Sequence, residues 1–431
     1  MHILHLIHQY LPEKVGGTEL YTQTLARHQV AQGDSVALFT PTALPITDHR
    51  FPIIDNGLRI YRIPVGERAS TAVLRSSFHH PVLTRAFAQV LTQEKPDVVH
   101  VQHLMGLPFG LVRQIHRAGI PLVITLHDYW YVCANAQLLT NYDETVCPGP
   151  NYWLNCARCA LARVGHGRAY PLMPVLAPLF AWRHGRTQSI FRRAAALIAP
   201  THFTADIYRQ LAALSGNIHV IPHGLDLPAA MPAKTAHDGL HIAYIGGIAP
   251  QKGVHILIEA FNQLTTNQPP LTAHRSLLTE SLRLTIYGDL TAFPDYAAHL
   301  QQQANHPGIT FAGRLPPAQL WAALADIDLI VVPTLWYETA SLIVQEAFAA
   351  GVPVVASDIG VLPERIHAGV DGLLFPPGDA AALTGILRRL QEQPAELVQL
   401  RTGIRPVYTI QEHVARVTAV YEACVQVHVN T

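Results

Sequence analysis

The chain has 431 residues, enough for two domains, and 49% are hydrophobic against 14% charged; that balance excludes a disordered chain and favours large buried cores. Basic and acidic residues number 30 each and cancel to a formal net charge of zero, so the overall charge gives no support for binding nucleic acid. No basic-then-apolar leader follows Met1, and Pro, Arg or Gly interrupts every apolar run before it reaches a membrane span, which predicts a soluble, cytoplasmic protein.

In chain order, MHILHLIHQY (1–10) reads as a short buried strand. The loop PEKVGGTE (12–19) leads into a helix over LYTQTLARHQVAQG (20–33), closed by Gly33. Strands are predicted at SVALFTP (35–41) and LRIYRIPV (58–65), a helix over 81–94, a strand at PDVVHVQH (96–103), a helix at 106–119 and a strand at PLVITLHD (121–128). AALIAPT (195–201) and NIHVIPHG (217–224) complete a first domain, 1–225. Residues 226–240, rich in Pro and Ala and without periodicity, read as a linker. A second domain, 241–408, carries strands at HIAYIGG (241–247), LRLTIYGD (282–289), GITFAG (308–313), DLIVVP (328–333) and PVVAS (353–357). An amphipathic helix over 410–428 ends the chain. Buried parallel strands alternating with helices predict two doubly wound α/β units.

Several strand ends carry chemistry. A helix predicted from Ser341 to Ala350 follows DLIVVP. Its start, Thr339, Ala340, Ser341 and Leu342, presents backbone N–H groups and a partial positive charge, which suits a diphosphate. Glu346 lies inside this helix, able to accept bonds from a diol such as ribose; Glu338 lies before it, within reach of a neighbouring ring. In IGGIAPQKG (245–253), Gly246 and Gly247 allow close backbone approach and Lys252 offers a cation to a diphosphate. Gly16 and Gly17 likewise open the first helix, but without the G-x-G-x-x-G spacing of a dinucleotide site. His127-Asp128 ends a strand where α/β sites form. IYGD (286–289) and FAGRL (311–315) read by themselves as turns.

Four of the five cysteines cluster as C-x13-C-x8-C-x2-C: Cys133, Cys147, Cys156 and Cys159. Four thiolates suit a structural zinc or an iron–sulfur cluster; free thiols and disulfides are the alternatives. Residues 145–205 hold no Asp or Glu but seven arginines, Arg158, Arg163, Arg168, Arg183, Arg186, Arg192 and Arg193, around the apolar stretch 169–182. That pattern suits either peripheral contact with an anionic membrane, at the inner face of the cell membrane, or a packed helix with a solvated basic face.

The stretch LIVVPTLWYETASLIVQEAFAAGVPVVAS (329–357), continued by GVLPERIHAGVDGLLFPPGD (360–379), resembles the retaining glycosyltransferases of family 4. The resemblance implies a GT-B fold: two Rossmann-like domains facing across a cleft, with the segment 409–431 crossing back onto the first. It implies transfer of a sugar from a nucleoside diphosphate sugar to a hydroxyl of a glycan or lipid-linked acceptor, in polysaccharide, glycolipid or cell-envelope glycan synthesis, with no catalytic metal. It gives His127 and Glu338 to the transferred sugar, Glu346 to the ribose, the Gly16-Gly17 loop to the donor phosphate and acceptor, and Arg314 and Leu315 to the base. Gly247 stands where the family pattern usually has an Arg, for which Arg314 is the available substitute. Similar cysteine insertions after HDYW occur in a branch of this family, which places such an insertion at 130–193. Rival readings are a sugar-nucleotide 2-epimerase or a phosphorylase of the same architecture, and a non-catalytic, metal-stabilised scaffold.

Overall fold

The structure is a computed structural model. It describes residues 1–46, 48, 50–66, 70–214, 216, 218–266 and 282–429. Asn217, at the head of one predicted strand, and the terminal residues 430–431 lie outside these. The chain divides into two compact units. The first comprises Met1–Asp143, Cys147–Asp226 and Tyr408–Thr431; the second comprises Glu144–Val146 and Leu227–Val407.

The first unit is built on eight strands: β1 (His2–Leu6), β2 (Ser35–Thr42), β3 (Ile53–Asp55), β4 (Leu58–Pro64), β5 (Val98–Val101), β6 (Leu122–Thr125), β7 (Ala196–Ala199) and β8 (Ile218–Val220). They lie in the order β3-β4-β2-β1-β5-β6-β7-β8. All pairings are parallel except β3 with β4. That hairpin was not predicted. Its turn, Asn56-Gly57, has positive φ at both residues (49° and 84°), the geometry that matches the strand twist. The helices are α1 (Gly17–Ala31), α2 (Ser70–Phe78), α3 (Pro81–Glu94), α4 (Gly110–Arg117), α5 (Leu154–Arg163), α6 (Met173–Phe191) and α7 (His202–Ala212).

The second unit has six parallel strands, β9 (Leu240–Ile245), β10 (Leu282–Tyr287), β11 (Ile309–Gly313), β12 (Leu329–Val332), β13 (Val354–Ser357) and β14 (Gly372–Phe375), ordered β11-β10-β9-β12-β13-β14. Its helices are α8 (Val254–Thr266), α9 (Pro294–Gln303), α10 (Leu320–Asp326), α11 (Leu342–Ala349), α12 (Leu362–Arg365), α13 (Ala380–Glu392) and α14 (Pro394–Gly403). The last helix, α15 (Ile410–Val429), belongs to the first unit, where Val414, Val417 and Tyr421 join the core of Ile3, Leu25 and Val36.

Both sheets reverse their strand order beside their first strand, between β1 and β5 and between β9 and β12. Crevices at such reversals, outside the carboxyl ends of the strands, are where open α/β sheets bind ligands. The segment 226–240, read as a linker, is tied to the second unit at Lys234 and Thr235. Lys234 Nζ donates to the carbonyls of Leu324 (2.9 Å) and Ile327 (2.5 Å), Thr235 N–H donates to Ala325 O (3.0 Å), and Leu240 already belongs to β9. Among the described residues no helix is long and apolar enough to cross a membrane.

Candidate active site

At the reversal of the second sheet, the loops after β9 and β12 meet. Gly253, at φ 68°, turns the chain after the 3₁₀ turn Pro250–Lys252; a Cβ there would fall 1.9 Å from Pro333 O, so only glycine lets the two loops approach. Leu335 N–H donates to Gln251 O at 2.8 Å and ties them together. This brings Lys252 Nζ to 2.7 Å from Glu338 Oε1, and the same oxygen accepts from Trp336 Nε1 at 3.1 Å and lies 3.4 Å from Thr334 Oγ1. Lys252 also lies 5.1 Å from the centre of the Trp336 ring. Trp336 and Thr334 were not singled out from sequence, although both flank Glu338 directly.

Helix α11 begins as its sequence predicts, with Ser341 as N-cap in the left-handed region (φ 48°) and no side-chain cap bond. Its partial positive charge is therefore not met by a capping side chain. Glu346, one turn into the helix, is partly buried, and burial pushes its carboxyl up to about 7. Among the described residues nothing donates a hydrogen bond to it. A half-buried carboxylate without a partner is costly; a donor pair from a ligand diol would relieve that cost.

The glycines of the β9 loop differ. A Cβ on Gly246 would meet Tyr244 Oη at 2.7 Å and push that side chain aside, whereas a Cβ on Gly247 would meet nothing within 4 Å. Tyr244 Oη donates to Gly247 O at 2.8 Å and fixes the loop. The expected Arg is thus missing from a place with room for it. Arg314 and Leu315 follow β11, and Arg314 is exposed. In the neighbouring loop, bonds from Thr291 hold the Asp289 carboxyl below its usual range, and Arg314 adds to the effect.

In the first unit a group of internal polar side chains surrounds His127. His127 is buried, its Nε2 2.8 Å from Gln102 Oε1, and burial lowers its pKa to about 3. Gln102 Nε2 in turn lies 3.0 Å from both His5 Nδ1 and His100 Nδ1, and His100 Nε2 lies 2.7 Å from Thr125 Oγ1. Tyr21 stands edge-on to His127 at 4.7 Å and bonds to His413 of α15 at 2.8 Å. Asp128, paired in sequence with His127, turns elsewhere: it meets His103 Nε2 at 2.9 Å and accepts the Trp130 N–H, so it orders the following loop. Gly16 caps α1, and Glu19, buried in its first turn, accepts from Gln9. The helix start predicted to face a phosphate therefore already holds a carboxylate of its own chain.

The four cysteines converge around α5. Each of Cys147, Cys156 and Cys159 has its thiol pushed up, first by burial and then by neighbouring cysteines, Cys133 among them. Asn141 N–H donates to Cys159 Sγ at 3.3 Å and Asn155 Nδ2 to Cys147 Sγ at 3.5 Å, contacts that suit thiolates. The sulfurs are not at ligating spacing. Among the described residues only His237, His241 and Asp326 bring three candidate ligand atoms within 4.8 Å of one another, and there the imidazoles already bond the Asp326 carbonyl.

Comparison with known proteins gives the family. The family model "Glycosyltransferase Family 4" matches residues 15–228, and "Glycosyl transferases group 1" matches residues 239–393. The chain belongs to the family 4 glycosyltransferases. It is 28% identical to D-inositol 3-phosphate glycosyltransferase 1 of Catenulispora acidiphila, over 95% of this chain and 91% of that one. It is 26% identical to MMP α-(1→4)-mannosyltransferase of Mycolicibacterium hassiacum, over 95% of each. Among solved structures, sucrose-phosphate synthase of Thermosynechococcus elongatus superposes with a TM-score of 0.71 at 18% identity (98% of this chain, 99% of that one). Anabaena HepE in complex with UDP and glucose gives 0.66 at 17% (98% and 100%). These likenesses establish the GT-B fold. This family 4 chain is a glycosyltransferase.

Proposed function

We propose that the enzyme is a retaining glycosyltransferase whose donor sits at the reversal of the second sheet. The observations that carry this are the partnerless Glu346 carboxyl on a helix whose start has no side-chain cap, and the Lys252–Glu338 pair in the loops that lead to that helix. Glu346 would accept the ribose hydroxyls. Lys252 and the turn Thr339–Leu342 would hold the diphosphate and stabilise the charge that grows on it as the anomeric C–O bond breaks. Glu338, with one oxygen already fixed by three neighbours, would orient the sugar hydroxyls. The acceptor oxygen would bond to the anomeric carbon on the face the diphosphate leaves, and its proton would pass to the departing phosphate. Relatives named for D-inositol 3-phosphate and for mannosyl transfer support a polyol or sugar hydroxyl as acceptor, within glycan or glycolipid synthesis. A thermal-shift panel of nucleoside diphosphate sugars would identify the donor, since a bound ligand raises apparent stability. NMR of the product linkage is the test: the donor's anomeric configuration should be kept, and an inverted linkage would refute the reading.

We also propose that Cys133, Cys147, Cys156 and Cys159 hold a structural metal, zinc or an iron–sulfur cluster, that closes the insertion, its binding drawing the sulfurs together. The convergence of the four thiols and the N–H donors aimed at two of them support it. Elemental analysis of untagged protein, with an absorbance scan for iron–sulfur bands, should find about one zinc or one cluster per chain. Metal-free protein with four titratable thiols would refute it.

A further inference from the structure

Helix α6 is apolar on two sides. Its inner side buries Ala177, Phe180, Ile190 and Phe191. Arg183, 5% exposed, pins it there by donating to the Trp130 carbonyl and lying 4.9 Å from the Trp130 ring. Counted from its N-cap, Leu172, the outer side repeats Val175, Leu179 and Trp182 at intervals of three and four residues, so they share one stripe. All four are exposed, Val175 by 75%. A helix seated on a core ordinarily turns polar residues outward; this one turns out large apolar side chains.

The stripe continues to Arg186, and there it borders a cavity of about 460 Å³ completed by Phe78, Phe109, Arg113 and, just past the end of the helix, Arg193. Trp182 stacks on Phe78 at 4.7 Å, and the Arg186 guanidinium lies 5.1 Å from the Trp182 ring. Among the described residues, none of Arg113, Arg186 and Arg193 forms an ion pair. No Asp or Glu occurs in α2, α4 or α6. Three guanidinium groups thus gather at an aromatic-walled cavity whose helices supply no carboxylate to neutralise them.

We propose that this cavity seats the phosphate of an anionic phospholipid in a bilayer, while Leu172, Val175, Leu179 and Trp182 enter the boundary between headgroups and acyl chains. Planar guanidinium groups bind phosphate through paired N–H donors, and a helix with an apolar outer stripe beside basic groups lies in the interfacial plane. A soluble anion would account for the arginines but leave the exposed stripe unexplained; a bilayer accounts for both.

The test is flotation of the full chain with vesicles of phosphatidylcholine alone, or mixed with about one-third phosphatidylglycerol, at low and high salt. The protein should float only with the anionic vesicles, and high salt should release it. The pair Arg186→Gln and Arg193→Gln, and separately Val175→Glu, should each lower partitioning about tenfold or more. Val175→Glu alters a side chain already in solvent, so it keeps the test informative should the arginine pair fail to fold. Equal flotation with neutral vesicles, or full binding by Val175→Glu, would overturn the proposal. Since the donor residues lie in the second unit, nucleotide-sugar binding persists in these variants, and either proposal can fail alone.

Discussion

The two sheets both reverse their strand order beside their first strand but treat polar groups in opposite ways. At the reversal of the second sheet the chain places charge: Lys252, Glu338 and a carboxyl, Glu346, held back from ionising by burial. Inside the first sheet it places neutral groups, His5, His100, His127 and Gln102, linked to one another in a closed interior. One architecture thus carries a charged cluster at the reversal of one sheet and a network of uncharged polar groups inside the other. The side chains at strand ends, not the fold, set that difference.

The contrast predicts opposite responses to pH. His127, His5 and His413 have folded-state pKa values lowered to about 3, 4 and 4 by burial. The unfolded chain then binds more protons below its ordinary imidazole pKa of about 6.5, so the first unit loses stability as pH falls from there. The combined effect is several kcal/mol at the acid end. Hydrogen exchange at pH 7.5 and pH 5, corrected for intrinsic rates, should show protection falling in β1, β5 and α15 before β9 and β12. Simultaneous loss in both units would break the contrast.

For Glu346 the sign is reversed. Its folded-state pKa is raised to about 7, so the native state binds more protons than the unfolded one, and stability falls as pH rises from about 4.5 through 7. Glu346→Gln, which cannot ionise, should melt higher than the parent above pH 7, by up to about 3 kcal/mol, and match it below about pH 4.5. A constant difference across that range would show that ionisation at this site costs nothing.

A smaller effect is expected at Gly247, where the family's usual Arg is missing and there is room for it. Gly247→Arg should tighten nucleoside diphosphate binding by a few-fold, on the order of 1 kcal/mol for one partly screened cation–phosphate contact. Unchanged or weaker binding in calorimetry would mean that Lys252 and the helix start already saturate the phosphates.

Much of this organisation was legible in the sequence. Buried strands and their helices announce themselves by periodicity: 81–94 is the α3 helix residue for residue, and α11 starts where Ser341 and the strand before it place it. The edge hairpin at Ile53–Asp55 was missed because three residues carry too little pattern, though its Asn-Gly turn was a signal. The α6 helix was ambiguous because it is apolar on both sides, which erases the alternation that marks an amphipathic helix. The candidate donor residues could be named, but their partners could not. That Lys252 lies against Glu338 is a contact across 86 positions, made by a glycine-dependent loop crossing that no local pattern encodes. Likewise Asp128 seemed to belong with His127 and instead serves His103, since adjacent residues at a strand end point to opposite sides.

The central claim is that the charged reversal of the second sheet holds the donor. Calorimetric titration of the donor identified by the thermal-shift panel, into the parent, Glu346→Ala and Lys252→Met, tests it most directly. Each lost charge-assisted bond should cost about 1.5–3 kcal/mol, at least a tenfold rise in Kd, with both variants folded at pH 7.5. Parental affinity in both would place the donor elsewhere and contradict the account.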